Sequence, residues 1–175
     1  MRSRSNIFLV GPMGAGKTTV GKRLAELRGM EFHDSDHEVE QRTGVDIAFI
    51  FEKEGEAGFR KREKQVIAEL TAGQNMVLAT GGGAVLDADN RQHLSGRGFV
   101  VYLRASVDHQ LRRTGRTDSR PLLQTDNPRE VLERLFAVRD PLYREVADLV
   151  IDADGGNARN LAQEITRHLD APPGQ

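Results

Sequence analysis

The sequence predicts an α/β domain in which a parallel sheet is covered by helices on both faces. Two patterns carry that expectation. Short apolar runs at Ile7–Val10, Met76–Ala79, 99–103 and 149–151 are bounded by Gly or polar residues, as strands buried on both sides are. Helical stretches lie between them, and regular strand–helix alternation implies parallel strands with the connections packed on the sheet faces.

Taken in order, the first strand, Ile7–Val10, runs into a glycine turn and then a helix, Lys17–Arg28. A further strand candidate follows at Glu31–Asp34. Helices are expected at 36–42, 46–52 and 58–72, and in the last of these Val66, Ile67 and Leu70 share a face. The strand Met76–Ala79 leads into Thr80-Gly81-Gly82-Gly83. Then come a helix at 88–95, the strand 99–103 and a helix at 107–113. A helix at 128–139 is expected to end before Asp140-Pro141. The strand 149–151 and a helix at 157–169 complete the alternation. The polar stretch 114–127, TGRTDSRPLLQTDN, fits no element, and a loop of that length inside a compact domain is usually functional or disordered. Residues 171–175 are expected to fray. With no repeat and no linker, 1–175 reads as one domain.

Composition narrows the function. Only seven Phe and two Tyr supply aromatic mass in 175 residues, so aliphatic side chains must build the core. The absence of Cys excludes disulfides and thiolate metal sites and fits a reducing compartment. The opening MRSRSNIFLV has a short apolar run soon interrupted by glycines, unlike a signal peptide. No segment approaches the about 20 apolar residues that cross a bilayer. A cytoplasmic chain without a membrane partner is therefore expected. A formal net charge of −1 argues against a general nucleic-acid binder.

The strongest chemical signal is Gly11-Pro-Met-Gly-Ala-Gly-Lys17-Thr18, which fits G-x-x-x-x-G-K-[ST] directly after a strand and at a helix start. Glycines let backbone N–H groups converge on phosphate oxygens, and the helix N-terminus adds the positive end of its dipole. Lys17 has the reach for β- and γ-phosphates, and the Thr18 hydroxyl suits Mg²⁺. The additional Gly14 makes the loop look like that of small-molecule and nucleotide kinases. No guanine-reading NKxD motif is present.

Many such proteins hold the metal with an Asp at the end of another strand, yet Met76–Ala79 ends in Thr and three glycines. Asp34 and Asp36, after Phe32, are the acids left near a strand end. Two apart in extended chain, they would point to one side, into the crevice at the C-terminal edge of the sheet. One could orient metal-bound water and the other accept a hydroxyl's proton; either could instead cap the following helix. The triple glycine suits close approach of backbone to a ligand, or a sharp turn. Arg60 has Glu56 and Glu63 at ion-pair spacing, so a solvated salt bridge competes with a ligand role. Arg120 precedes Pro121 in the unassigned loop. Arg139 sits at an expected helix end, where the dipole also favours a cation. All three are the side chain that grips carboxylate or phosphate bidentately. The loop 114–127 is expected to act as a lid that excludes water and brings Arg120 to the phosphates.

GPMGAGKTT, FHDSDHEVEQRTG, GEAGFRKRE, ATGGGAV, RRTGRTDSRPLL and RDPLYREVAD, in that order, resemble the shikimate kinase family up to about Leu169. The resemblance implies a three-layer P-loop fold like that of nucleoside-monophosphate kinases, with a five-stranded parallel sheet, a substrate-binding helical region at about 36–63 and a lid over ATP. It implies transfer of phosphate from ATP to the 3-hydroxyl of shikimate, with Mg²⁺, by a monomer. It assigns Gly14, Ala15, Gly16, Lys17, Thr18 and Thr19 to ATP, with Thr18 on Mg²⁺ and Asp34 beside the metal's water shell. Arg113 matches a residue that stacks on adenine, and Arg120 one that reaches the nucleotide phosphates. Asp36, Arg60, Gly82 and Arg139 fall to shikimate, and Asp36, Lys17 and Arg120 to catalysis. One departure is visible: family members often carry a polar or basic nucleotide-side residue after the last strand, where this chain has Asp154-Gly155-Gly156-Asn157. A gluconate-type kinase shares the phosphate loop but not the combined motifs. A non-catalytic ATP-binding module sits poorly with the intact Lys17, Thr18, Asp34 and Asp36.

Overall fold

The computed structural model describes residues 5–114 and 127–171. Five parallel strands, β1 (Ile7–Val10), β2 (Glu31–Asp34), β3 (Met76–Ala79), β4 (Phe99–Arg104) and β5 (Leu149–Asp152), lie in the order β2-β3-β1-β4-β5. The helices are α1 (Lys17–Arg28), α2 (Ser35–Thr43), α3 (Ile47–Thr71), α4 (Ala88–Arg97), α5 (Val107–Thr114), α6 (Pro128–Val146) and α7 (Ala158–Asp170), with a 3₁₀ turn at Ala84–Leu86. The anticipated five-stranded α/β architecture is therefore present.

Alternation along the central strand shows how the sheet is clothed. Ile7 and Leu9 join Val20, Leu24, Leu161 and Ile165 in the core under α1 and α7. Phe8 and Val10 join Leu94, Tyr143 and Val146 under α4 and α6. Successive side chains point to opposite faces, so an uninterrupted apolar strand is what a three-layer sandwich requires. A third cluster, Val39, Ile50, Phe59 and Val66, knits α2 to α3 beside the sheet.

The strand order turns back between β1 and β3. In open parallel sheets the ligand crevice lies at such a point, beyond the C-terminal strand ends. Gly11–Lys17 leaves β1 there, Gly81–Gly83 leaves β3, and Asp34 ends β2 at the neighbouring edge.

Two expectations about helices change. The helices expected at 46–52 and 58–72 are joined in α3, with Gly55 (φ 74°, ψ 179°) marking the break between them. And α6 does not stop at 139: it continues through Pro141 to Val146. Proline removes the amide that would have bonded to the carbonyl four residues back, but packing keeps the helix going. Tyr143 and Val146 are buried in the core, and the Tyr102 hydroxyl donates to Asp140 Oδ1 at 2.7 Å. Arg139 therefore lies inside a helix, and a simple cation at a helix end does not describe it. Most of the loop 114–127, and the tail from 172, lie outside the described residues.

Candidate active site

The phosphate loop has the backbone its sequence calls for. Gly14 and Gly16 take left-handed φ of 80° and 90°, and Gly16 caps α1 with no side-chain bond to the helix amides. Only glycine adopts that geometry at little cost. Lys17 Nζ donates to the carbonyls of Gly11 (2.6 Å) and Pro12 (2.8 Å), so its ammonium lies over the loop. Gly14, Gly16, Lys17, Thr18, Thr19 and Arg113 all line one cavity of about 500 Å³. Ala15 does not: its methyl is buried with Leu9 and Val20, and its amide donates to Pro12 O at 3.3 Å. It can offer a ligand backbone only.

The acids divide differently from the extended-chain picture. Asp36 already belongs to α2, so spacing along a strand is not what aims it. Asp34 is the N-cap: its Oδ1 accepts from the amides of Asp36 (3.0 Å) and His37 (3.1 Å). Its Oδ2 accepts from the Thr18 hydroxyl at 2.7 Å. One carboxylate thus ties the phosphate-loop helix to the helix carrying Asp36. Both acids line the cavity, and capping by Asp36 is replaced by capping by Asp34.

The far wall of the cavity is a charge cluster under the glycines. Arg60 Nη1 donates to Glu63 at 2.8 Å and Nη2 to Glu56 at 3.2 Å, so the helix ion pairs exist. The Glu63 pair is not a solvated one, because Glu63 is 1% exposed, whereas Glu56 is exposed. Burial pushes the Glu63 carboxyl above its ordinary range, against the pull of the Arg60 and Arg139 charges. Burial also works against the Arg60 charge, but Glu63 and Glu56 more than offset it and hold the guanidinium protonated. Arg139 is 4% exposed and faces the same cavity.

The triple glycine makes room for these groups. A Cβ on Gly81 would fall 2.6 Å from Asp36 Oδ1, and one on Gly83 would fall 2.6 Å from Arg60 Cζ. At Gly82 it would meet Arg139 Nη1 at 3.4 Å. None of the three has positive φ, so a left-handed turn is not the reason for them. Close approach of charged side chains is. Asp34, Asp36, Arg60, Gly82 and Arg139 are thus gathered on the cavity that the phosphate loop also borders. Arg120 lies outside the described residues.

A family model described as shikimate kinase matches residues 13–170. The shikimate kinase of Methylococcus capsulatus is 61% identical over 94% of this chain and 92% of its own length. The chain belongs to the shikimate kinase family. The shikimate kinase of Shewanella denitrificans is 58% identical over 97% of this chain and 99% of its own. Among solved structures, shikimate kinase from Acinetobacter baumannii in complex with shikimate superposes with a TM-score of 0.92 at 59% identity, covering 94% of this chain and 92% of that one. Membership of the shikimate kinase family makes the chain a phosphotransferase, and the P-loop fold agrees with it.

Several residues of the site carry no local sequence signal. Glu63 was legible only as a partner at helical spacing, which says nothing of burial. Phe51 and Phe59 line the cavity with ring centroids 5.2 Å apart, and the Arg60 guanidinium lies over Phe59 at 5.2 Å. Tyr143 sits beyond the expected end of α6. Among the described residues no group of three or more His, Cys, Asp or Glu is placed to hold a metal, and no helix is long and apolar enough to cross a membrane.

Proposed function

We propose that this chain transfers the γ-phosphoryl group of ATP to the 3-hydroxyl of shikimate, giving ADP and shikimate 3-phosphate. The observation that carries the reading is one cavity shared by a phosphate loop, the Asp36 carboxylate and two guanidiniums, Arg60 and Arg139. That is the complement of a nucleotide facing a small carboxylated polyol.

Within this reading the two arginines and the backbone at Gly82 take the acceptor's carboxylate. Asp36 accepts the hydrogen bond of the hydroxyl and, as the phosphate bond forms, its proton. Lys17 exchanges its loop carbonyls for phosphate oxygens, and amides from Gly14 to Thr19 surround the phosphates. Arg113 takes the adenine side. Arg120, proposed from sequence alone, would bring a cation to the transferring group from a lid at 114–127. The Thr18 hydroxyl and the Asp34 carboxylate, with their oxygens 2.7 Å apart, are a hard-oxygen pair that fits Mg²⁺ held partly through water. Bound there, the metal would offset negative charge on the β- and γ-phosphates. The enzyme would work as a single-domain monomer in the cytoplasm, without nucleic-acid or membrane partners.

A coupled assay of ADP release tests the acceptor. Shikimate should stimulate release strongly, and gluconate or nucleoside monophosphates should not. Turnover with gluconate equal to that with shikimate overturns the assignment.

Lys substitutions test the carboxylate grip. Lys keeps the charge and loses the planar fork, so Arg60→Lys and Arg139→Lys should each raise the KM for shikimate about 10- to 100-fold. The KM for ATP should stay near wild type. For the buried Arg139 a fall in thermal stability is expected as well, so stability alone cannot decide. An unchanged KM for shikimate removes that arginine from the site.

A further inference from the structure

Three consecutive glycines cannot hold their own conformation. Without Cβ atoms their backbone has wide freedom, and each ordered glycine costs more entropy than any other residue. A wall of the acceptor site made from Gly81, Gly82 and Gly83 needs something external to fix it.

The Ser35 hydroxyl accepts the Gly81 amide at 3.1 Å, and the group that holds the Gly82 carbonyl is on α6. Tyr143 is 1% exposed, and its hydroxyl donates to the carbonyl of Gly82 at 2.5 Å. One helical turn earlier on α6 stands Arg139, whose guanidinium lies against the same peptide: a Cβ on Gly82 would fall 3.4 Å from its Nη1. A phenol hydroxyl has one proton to donate, and that of Tyr143 goes to the Gly82 carbonyl. The tyrosine is itself immobilised: its ring packs on Tyr102 with centroids 4.8 Å apart, and the Tyr102 hydroxyl is bonded to Asp140. Because the Gly82 carbonyl and the Gly83 amide share one peptide plane, holding the carbonyl orients the amide too. A buried phenol hydroxyl must be hydrogen-bonded, but core packing alone does not require its partner to be this loop.

We propose that Tyr143 is a positioning residue for the acceptor: its hydroxyl fixes the Gly82–Gly83 peptide where that peptide lies against the Arg139 guanidinium, so that both converge on the acceptor's carboxylate. The proposal rests on the shikimate reading above and deepens it. It makes Tyr143 a determinant of carboxylate recognition that never touches the carboxylate.

Tyr143→Phe removes the oxygen and keeps the ring stacked on Tyr102, and circular dichroism checks that the fold is retained. The KM for shikimate should rise roughly tenfold, with the KM for ATP within about twofold of wild type. A merely structural residue would not discriminate by carboxylate, so the second arm uses the same cyclohexene triol lacking the carboxyl group. With that acceptor, variant and wild type should have the same kcat/KM. An unchanged KM for shikimate overturns the proposal. So does an equal loss with the carboxyl-free acceptor, or a parallel rise in the KM for ATP. Wild-type enzyme that fails to phosphorylate shikimate defeats the functional reading and this proposal with it. Wild-type turnover with an unaffected Tyr143→Phe variant defeats this proposal alone.

Discussion

Asp36→Asn should lower kcat for transfer to shikimate by about 10²–10⁴ while the KM for ATP stays close to wild type. Asn matches Asp in size and still hydrogen-bonds a hydroxyl, but it cannot take the proton. The usual alternative, that such an Asp caps its helix, is closed by geometry. The cap of α2 is Asp34, whose Oδ1 accepts the amides of Asp36 and His37. Asp36 stands in the first turn, where its charge favours the helix dipole by about 0.3–1 kcal/mol. The melting temperature should therefore move little. Both readouts come from one preparation: a steady-state assay with each substrate varied, and a thermal melt. A folded variant with near-normal kcat sinks the proton-acceptor role.

What was legible in the chain follows from where each signal lies. A buried parallel strand is apolar on both faces, so Ile7–Val10 and Met76–Ala79 could be bounded to the residue. The glycine loop announces itself because positive φ at Gly14 and Gly16 leaves few other choices of residue. Features that depend on contacts between distant segments were hidden. Pro141 looks like a stop in local terms, and only the burial of Tyr143 and Val146 carries α6 past it. Arg60 with Glu56 and Glu63 reads as a surface ion pair at helical spacing. Nothing local reveals that Gly83, more than a dozen residues further on, covers it. Even where the sequence pointed to the right residues, the reason differed. Asp34 and Asp36 share the cavity because one caps the helix that carries the other, not because a strand aims both.

Gly83→Ala should raise the KM for shikimate about 10- to 100-fold, although Gly83 has no side chain of its own to bind with. The backbone at Gly83, φ −98° and ψ 6°, is open to alanine, so strain is not the cause. The added methyl would instead fall 2.6 Å from Arg60 Cζ, and a guanidinium on a flexible stem is what gives way. Displacing it loses the fork presented to the acceptor and also strips Glu63 of its partner. That second loss has a pH signature. Burial already holds the Glu63 carboxyl above its ordinary range, and removing the Arg60 charge lifts it further. A carboxyl whose folded pKa exceeds its unfolded value binds its proton more tightly when folded. Stability is then lost as pH rises through the folded pKa, and the loss is absent below the unfolded value near 4.3. The variant should accordingly be less stable than wild type by about 1–3 kcal/mol at pH 7, with the deficit shrinking as pH falls toward 5. Urea unfolding at the two pH values measures this. The route through Arg60 is checked by making the same change in an Arg60→Ala background, where the methyl meets no guanidinium. There Gly83→Ala should add almost nothing to the KM for shikimate. An equal penalty in both backgrounds would show that Gly83 acts on the acceptor directly, and that the glycine is not there to make room for Arg60.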